Sequence, residues 1–161
     1  MVSEKEYLKI VIKKFLDLCY KASSQTTTIG LNLAEVGGTF HGFRLKAAFG
    51  AGNLSKRPAI AFLKDGNEVN EGIYPIIVFV PKTSHLLTCK GVSTDNDPPI
   101  KAHWIIHDYD QPIAQSEFSE PRSIKSYLRN KYLISQFSNN EYIENIVEDM
   151  EEIIKDYRYE R

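Results

Sequence analysis

Residues 43–63 read FRLKAAFGAGNLSKRPAIAFL and predict two strands joined by a loop of small and basic residues. Every second residue from Phe43 is apolar, with Arg44 and Lys46 between them, which is typical of a strand with one packed face and one cationic face. After Pro58, the segment AIAFL predicts a second strand. The loop between the two strands is longer than a tight turn needs, so we expect it to have a function of its own.

Three more apolar segments predict a strand-rich centre. They are YPIIVFV at 74–80, LLTCKGV at 86–92 and AHWIIHD at 102–108. The first is nearly all apolar, which favours a central strand covered on both faces. Polar segments rich in Gly, Asn, Asp and Pro separate the strands and predict loops.

Helices are predicted on both sides of this centre. Ser3 and Glu6 form a capping box for a first helix that ends near Ala22, and Pro121 begins a short helix through residues 123–130. Ser138 and Glu141 form a second capping box, for a last helix with an apolar stripe from position 142 to 157.

The predicted fold class is α+β, with a mainly antiparallel or mixed sheet and N-terminal and C-terminal helices packed on it. A length of 161 residues predicts one domain, 1–161. Hydrophobic residues make up 42% and charged residues 25%, as in soluble globular proteins. Two cysteines are too few for a disulfide framework and no secretory signal is visible, so we expect a cytoplasmic protein with no membrane contact.

The net charge of −1 is distributed unevenly along the chain. Residues 139–161 carry a net −5 and residues 1–138 a net +4. The acidic last helix would repel a polyanion, so any nucleic-acid interface is expected elsewhere.

Motifs for catalysis are weak. The chain contains no phosphate-binding G-x-x-x-x-G-K-[ST] loop. His103 and His107 would be separated by roughly 13 Å on a strand, too far for one metal ion. Asp65 and Glu68 belong to a Gly/Asn-rich loop rather than a rigid sheet, so a metal-dependent nuclease is only a third hypothesis. We expect a binding domain with no catalytic residues, metal or cofactor.

An ordered set of motifs spans residues 43–104. It consists of Phe-Gly-x-Gly-Asn at 49–53, Pro-x-x-Ala-Phe-Leu at 58–63, Gly-Ile-Tyr-Pro at 72–75, Gly-Val-Ser before an Asp/Asn-rich segment, and Trp104. This pattern resembles the N-terminal DNA-binding domains of McrB subunits, the specificity subunits of McrBC-type modification-dependent restriction systems.

The resemblance implies that the chain binds double-stranded DNA and recognises a modified cytosine, such as a methylated one, by flipping the base into a pocket. It also implies two partners in the full system, an AAA+ GTPase motor (fused or separate) and a McrC-like nuclease subunit. The chain itself would bind DNA without cutting it.

Carried over onto this sequence, the resemblance assigns the base pocket to Tyr74, Val78, Ala59 and Tyr132. The DNA-contacting loop comprises Gly50, Ala51, Gly52, Asn53, Leu54, Ser55, Lys56 and Arg57. Arg44 and Lys46 would contact phosphates, and Lys82, Lys90 and Lys101 are further candidates at the rim.

Two positions depart from the family pattern. Ala51 and Ala59 stand where the family has bulky aromatic residues, one between the loop glycines and one after the loop proline. Their absence removes stacking worth on the order of 1–3 kcal/mol per base contact. Leu54 could substitute, the pocket could accept a larger modified base, or base flipping could be lost. The alternative function is a protein-interaction or assembly module that retains the fold but not modified-base reading.

Overall fold

The computed structural model of the chain describes residues 3–23, 38–48, 58–64, 73–92, 101–113, 126–134 and 142–160. Within these ranges, seven strands form one antiparallel sheet in the order β1-β2-β3-β4-β5-β8-β7. Their bounds are β1 Thr39–Phe40, β2 Phe43–Ala48, β3 Ala59–Leu63, β4 Ile73–Val80, β5 His85–Val92, β7 Gln111–Pro112 and β8 Tyr127–Leu133. The predicted α+β fold class is confirmed.

The centre of the sheet is the most apolar part. β4 lies between β3 and β5, pairing Ile77 with Ile60 on one side and with Thr88 on the other. All five residues of β3 are buried, as are six of the eight residues of β4. The prediction that residues 74–80 form a central strand covered on both faces is confirmed.

Two helices pack on one face of this sheet. Helix α1 spans Glu4–Ser23, and the Ser3 hydroxyl accepts a hydrogen bond from the backbone N–H of Glu6 at 3.2 Å, as the capping box predicts. Helix α2 spans Ile143–Lys155 and packs against α1, β4, β5 and β8. We call this side of the sheet the helix face; its buried residues include Ile60, Phe62, Ile77, Phe79 and Leu86.

The opposite side, which we call the outer face, carries the alternate residues of the same strands. Because directly paired residues of antiparallel strands point to the same side, the cross-strand register defines its members. They are Arg44, Lys46, Ala59, Ala61, Leu63, Tyr74, Ile76, Val78, Val80, Leu87 and Cys89.

A tight hairpin joins β1 to β2 below α1. Its two turn residues, His41 and Gly42, have φ angles of 49° and 81°, the left-handed pair of a type I′ turn. The backbone N–H of His41 donates to the Glu4 carboxylate at 3.1 Å. This contact ties the hairpin to the first turn of α1.

A separate two-stranded sheet contains β6, Lys101–Trp104, and β9, Tyr157–Glu160. The strand predicted at 102–108 is therefore correct only as far as Trp104. The backbone N–H of Ile105 still donates to the carbonyl oxygen of Asp156, but its carbonyl oxygen accepts from the Lys90 side chain, and the ladder ends there. These contacts hold the segment at the corner between α2 and β9.

The short helix predicted over residues 123–130 is wrong over its described part. Tyr127–Leu133 is a strand that pairs with β5 across a β-bulge at Thr88 and Cys89. Tyr and Leu fit a half-buried strand as well as a helix, and pairing with β5 decides the outcome.

The last helix begins later than the predicted capping box. Its N-cap position is Tyr142, whose side chain makes no capping hydrogen bond, and Ser138 and Glu141 lie outside the described residues. The helix ends at Lys155, so Tyr157 belongs to β9, although its ring stays in the helix-face cluster. None of the described helices is long and apolar enough to cross a membrane.

Candidate nucleic-acid interface

The sheet brings two predicted phosphate-binding cations onto the same face as the predicted pocket tyrosine. Arg44 pairs with Leu63, and Lys46 pairs with Ala61. Ala61 and Leu63 in turn form a buried cluster with Tyr74. Both cationic residues are exposed, whereas their partners on β3 are buried. The outer face therefore combines a cationic margin on β2 with an apolar centre on β3 and β4.

Three of the four predicted pocket residues lie in that apolar centre. Ala59 is the direct cross-strand partner of Val78, and both belong to one buried cluster. Tyr74 lies four residues before Val78 on the same strand, a separation of roughly 13 Å. Ile76 lies between them and packs against both clusters. The exposed fractions are 6% for Tyr74, 4% for Val78 and 8% for Ala59, so all three are buried in the free protein.

Tyr132, the fourth predicted pocket residue, lies on the helix face. It pairs with Leu86, and its ring packs on Tyr142 with 5.2 Å between the ring centroids. Its hydroxyl donates a hydrogen bond to the Asp149 carboxylate of α2 at 2.5 Å. The structure therefore does not bring Tyr132 together with Tyr74, and the sheet itself separates the two side chains.

The contacts of Asp149 explain why Tyr132 is held there. The buried carboxylate accepts from the Thr88 hydroxyl at 3.1 Å and from the Asn130 side-chain amide at 2.8 Å, in addition to Tyr132. Burial and the adjacent Asp149 carboxylate raise the pKa of the Tyr132 hydroxyl, which keeps it protonated as a donor. Because α2 thus binds one residue of β5 and two of β8, this network fixes β8 against the helix.

The predicted DNA-contacting loop, residues 50–57, lies outside the described residues, as does the side chain of Lys101. Lys82 is exposed in the turn between β4 and β5. Lys90 is not a rim residue: only 1% of its side chain is exposed, and its ammonium group binds Asp110 at 2.6 Å and Asp156 at 2.9 Å. The sequence gives one clue to this buried cation, a lysine within an apolar strand.

Asp156 links the buried lysine to His107. One carboxylate oxygen accepts from Lys90, and the other lies 3.0 Å from the imidazole Nε2 of His107. Partial burial alone would raise the pKa of this carboxyl, but the hydrogen bonds from His107 and Lys90 outweigh it and hold the pKa below its ordinary value. Within the described ranges, no group of three or more His, Cys, Asp or Glu side chains could hold a metal ion.

The structure also identifies two residues beside Tyr74 to which the sequence assigned no role. Gly91 is the cross-strand partner of Tyr74, and a Cβ atom on Gly91 would lie 2.6 Å from the Tyr74 carbonyl oxygen. The indole N–H of Trp104 donates to the carbonyl oxygen of Gly91 at 3.0 Å. Gly91 and Trp104 both belong to motifs of the 43–104 segment. Their position beside Tyr74 depends on strand pairing, which only the folded chain shows.

Comparison with characterised proteins supports the resemblance that the motifs indicated. No protein-family model matches the chain. The chain is 29% identical over 151 residues to the "Type IV methyl-directed restriction enzyme EcoKMcrB subunit" of Escherichia coli (strain K12). The match covers 91% of this chain and 31% of that protein, so the chain spans about a third of its relative's length. The matched region is the N-terminal domain of McrB rather than its catalytic part. The predicted resemblance to McrB is confirmed.

Proposed function

We propose that the chain is the DNA-binding specificity domain of a modification-dependent restriction system, and that it recognises a modified cytosine, such as a methylated one, by base flipping. The observation that carries the proposal is the outer face, where Tyr74, Val78 and Ala59 form an apolar centre beside the cations Arg44 and Lys46. Support also comes from similarity to a subunit whose name describes a methyl-directed restriction enzyme.

The cations and the apolar centre of the outer face would have different roles in DNA binding. Arg44 and Lys46 would neutralise phosphates, which supplies affinity without sequence information. Tyr74 would stack on the extruded base, and Val78 with its partner Ala59, roughly 13 Å away, would line the far end of the pocket. The proposed pocket excludes Tyr132, because its side chain is on the helix face and engaged by Asp149. The loop at 50–57 is proposed to contact the DNA backbone through Lys56, Arg57 and its glycine-rich main chain.

The contacts in this pocket must offset the free-energy cost of extruding a base from the duplex. Unstacking and unpairing one base costs a few kcal/mol, and one aromatic stacking contact recovers about 1–3 kcal/mol. Tyr74 can provide one such contact, whereas Ala59 and Val78 are small and leave room for a substituent on the base. All three are buried in the free protein, so base insertion requires the outer face to open beside them.

The proposed system needs further components. DNA binding by this chain would direct an AAA+ GTPase motor, fused or separate, and a McrC-like nuclease subunit to modified sites. The chain is proposed to act without GTP hydrolysis or cleavage of its own. Mixing the chain with plasmid and Mg²⁺ or Mn²⁺ should leave the plasmid intact.

The experiment that tests the proposal is a binding titration with four otherwise identical duplexes. They carry unmodified cytosine, 5-methylcytosine, 4-methylcytosine or 5-hydroxymethylcytosine at one site. One modified duplex should bind at least tenfold more tightly than the unmodified one. Equal, weak binding to all four would leave only a non-specific DNA-binding protein.

A salt titration tests the cationic margin independently of base reading. Each phosphate contact contributes about 0.9 to the slope of log K against log[salt]. Arg44→Ala should therefore flatten the slope by about 0.9 with modified and unmodified DNA alike. Lys13→Ala, which removes an exposed cation of α1, is the matched control and should leave the slope unchanged. If the two variants behave alike, DNA does not bind beside Arg44.

One observation favours a second candidate function, an assembly or protein-interaction module. The three proposed pocket residues are less than 10% exposed, and one of them is an alanine without a stacking surface. A domain that has lost base flipping would retain such a closed face. This candidate predicts no measurable affinity for any duplex at low salt, the opposite of the result expected above.

A further inference from the structure

Two aromatic side chains of the small β6–β9 sheet bind the backbone on either side of Tyr74. The indole N–H of Trp104 donates to the carbonyl oxygen of Gly91 at 3.0 Å, and the Tyr157 hydroxyl donates to the carbonyl oxygen of Ile73 at 3.4 Å. Gly91 is the cross-strand partner of Tyr74, and Ile73 precedes Tyr74 in the chain. Each of the two strands that meet at Tyr74 is therefore held by one aromatic donor.

These two aromatic residues also hold each other. Trp104 and Tyr157 are direct partners in the β6–β9 ladder, and their rings meet edge to face with 5.2 Å between centroids. Phe43 packs on the Tyr157 ring at the same distance. An edge-to-face aromatic pair is favourable beyond the area it buries, so each ring stabilises the position of the other. We call Trp104 and Tyr157 the aromatic clamp.

The backbone under the clamp has little freedom to adjust. A Cβ atom at Gly91 would lie 2.6 Å from the Tyr74 carbonyl oxygen and 3.0 Å from a methyl carbon of Ile76. The glycine thus permits a close approach of β5 to the strand that carries Tyr74. A shift of either strand end would alter the direction of the Tyr74 side chain on the outer face.

We propose that Trp104 and Tyr157 are positioning residues that hold Tyr74 in the orientation from which it contacts an extruded base, and that they thereby set selectivity for modified DNA. This inference rests on the proposed function of the outer face. Both clamp side chains pack with the helix-face cluster, so they act through the backbone of Gly91 and Ile73 and not by touching the base.

In the proposed interface, affinity and selectivity come from different strands. Phosphate contacts by Arg44 and Lys46 come from β2, to which neither clamp hydrogen bond is made. Loosening the clamp should therefore weaken binding to modified DNA and leave binding to unmodified DNA unchanged. A purely structural role would lower stability without changing the ratio of the two affinities.

The test uses variants that remove one donor and keep the ring. Trp104→Phe removes the indole N–H, and Tyr157→Phe removes the hydroxyl. Tyr20→Phe is the matched control, because its hydroxyl also donates to a backbone carbonyl, that of Ile134 at 2.9 Å, far from Tyr74 in the chain and on the helix side. The readout is the ratio of Kd for the unmodified duplex to Kd for the preferred modified duplex, at one salt concentration.

Each clamp variant is expected to lower this ratio, on the order of fivefold, through the modified duplex alone, since one neutral hydrogen bond is lost. Tyr20→Phe should keep the wild-type ratio within twofold. Trp104 is the single tryptophan, so its emission maximum verifies that Tyr157→Phe and Tyr20→Phe retain the native surroundings of the clamp. If Trp104→Phe does not fold, Tyr157→Phe carries the test.

The test distinguishes failure of the positioning role from failure of the proposed function. A wild-type protein that discriminates between the duplexes, with clamp variants that discriminate equally well, would overturn the clamp and leave the proposed function intact. A wild-type protein that binds all duplexes equally would overturn the proposed function, and the positioning role with it.

Discussion

Tyr74 and Tyr132 lie on opposite faces of the seven-stranded sheet. Tyr74 packs with Ala61 and Leu63 on the outer face, whereas the Tyr132 hydroxyl donates to Asp149 on the helix face. Under the proposed function the two tyrosines would have different roles, so one substitution at each should separate an effect on stability from an effect on DNA selectivity.

Tyr132→Phe should destabilise the fold and leave DNA selectivity unchanged. The substitution removes a hydrogen bond to a buried carboxylate, and bonds to charged groups contribute about 1.5–3 kcal/mol. The free energy of unfolding, measured by urea denaturation, should fall by that amount. A Tyr132→Phe protein of wild-type stability that no longer distinguishes modified from unmodified DNA would contradict this prediction and indicate that Tyr132 belongs to the base pocket.

Lys90→Met should be among the most damaging single substitutions in the chain. It leaves the Asp110 and Asp156 carboxylates without their buried cation, and breaking a buried ion pair in this way costs about 3–5 kcal/mol. Lys155→Met is the matched control, because the ion pair of Lys155 with Glu152 is exposed and screened by solvent, so its loss should change stability little. Equal urea midpoints for the two variants would show that the Lys90 network adds nothing to stability.

Asp156 should contribute to the loss of stability in acid. Its folded-state pKa is held below the ordinary value of 3.8, so its contribution is present above about pH 4 and is lost as the pH falls through the folded-state pKa. The difference in unfolding free energy between wild type and Asp156→Asn should therefore be largest near neutral pH and shrink below pH 4. Urea denaturation at several pH values measures it, and a difference independent of pH would contradict the assignment.

Both cysteine thiols should be unreactive in the folded protein. Cys19 and Cys89 are fully buried, and burial raises the pKa of each thiol well above its ordinary value, which suppresses the nucleophilic thiolate. A chromogenic disulfide reagent at pH 8 should detect no thiol in native protein and both in urea. Rapid reaction of Cys89 in a Cys19→Ala variant would mean that the outer face is already open in the free protein.

The strands of the centre were predictable because their side-chain patterns are unambiguous. Alternation from Phe43 to Ala48 and the apolar run of residues 74–80 each fit a strand and little else, and both are strands in the structure. Residues 127–130 fitted a helix equally well, and their pairing with β5 is a long-range contact that local propensity does not contain.

The candidate site was predictable only in part, for the same reason. Period-two spacing puts Tyr74 and Val78 on one face of one strand, so sequence reasoning groups them correctly. Tyr132 comes from a distant strand, whose register against β5 passes through a bulge that no local pattern predicts. The buried role of Lys90 depends on carboxylates 20 and 66 residues away in the chain.

The most direct measurement of the central claim compares wild type and Tyr74→Ala in binding one modified and one unmodified duplex, after thermal unfolding has verified that the variant is folded. Tyr74→Ala should lower the ratio of the two affinities by roughly 5- to 150-fold, because a stacking contact of about 1–3 kcal/mol is lost. Affinity for the unmodified duplex should stay within twofold of wild type. A folded Tyr74→Ala protein that still prefers the modified duplex as strongly as wild type would contradict the claim that the outer face reads the base.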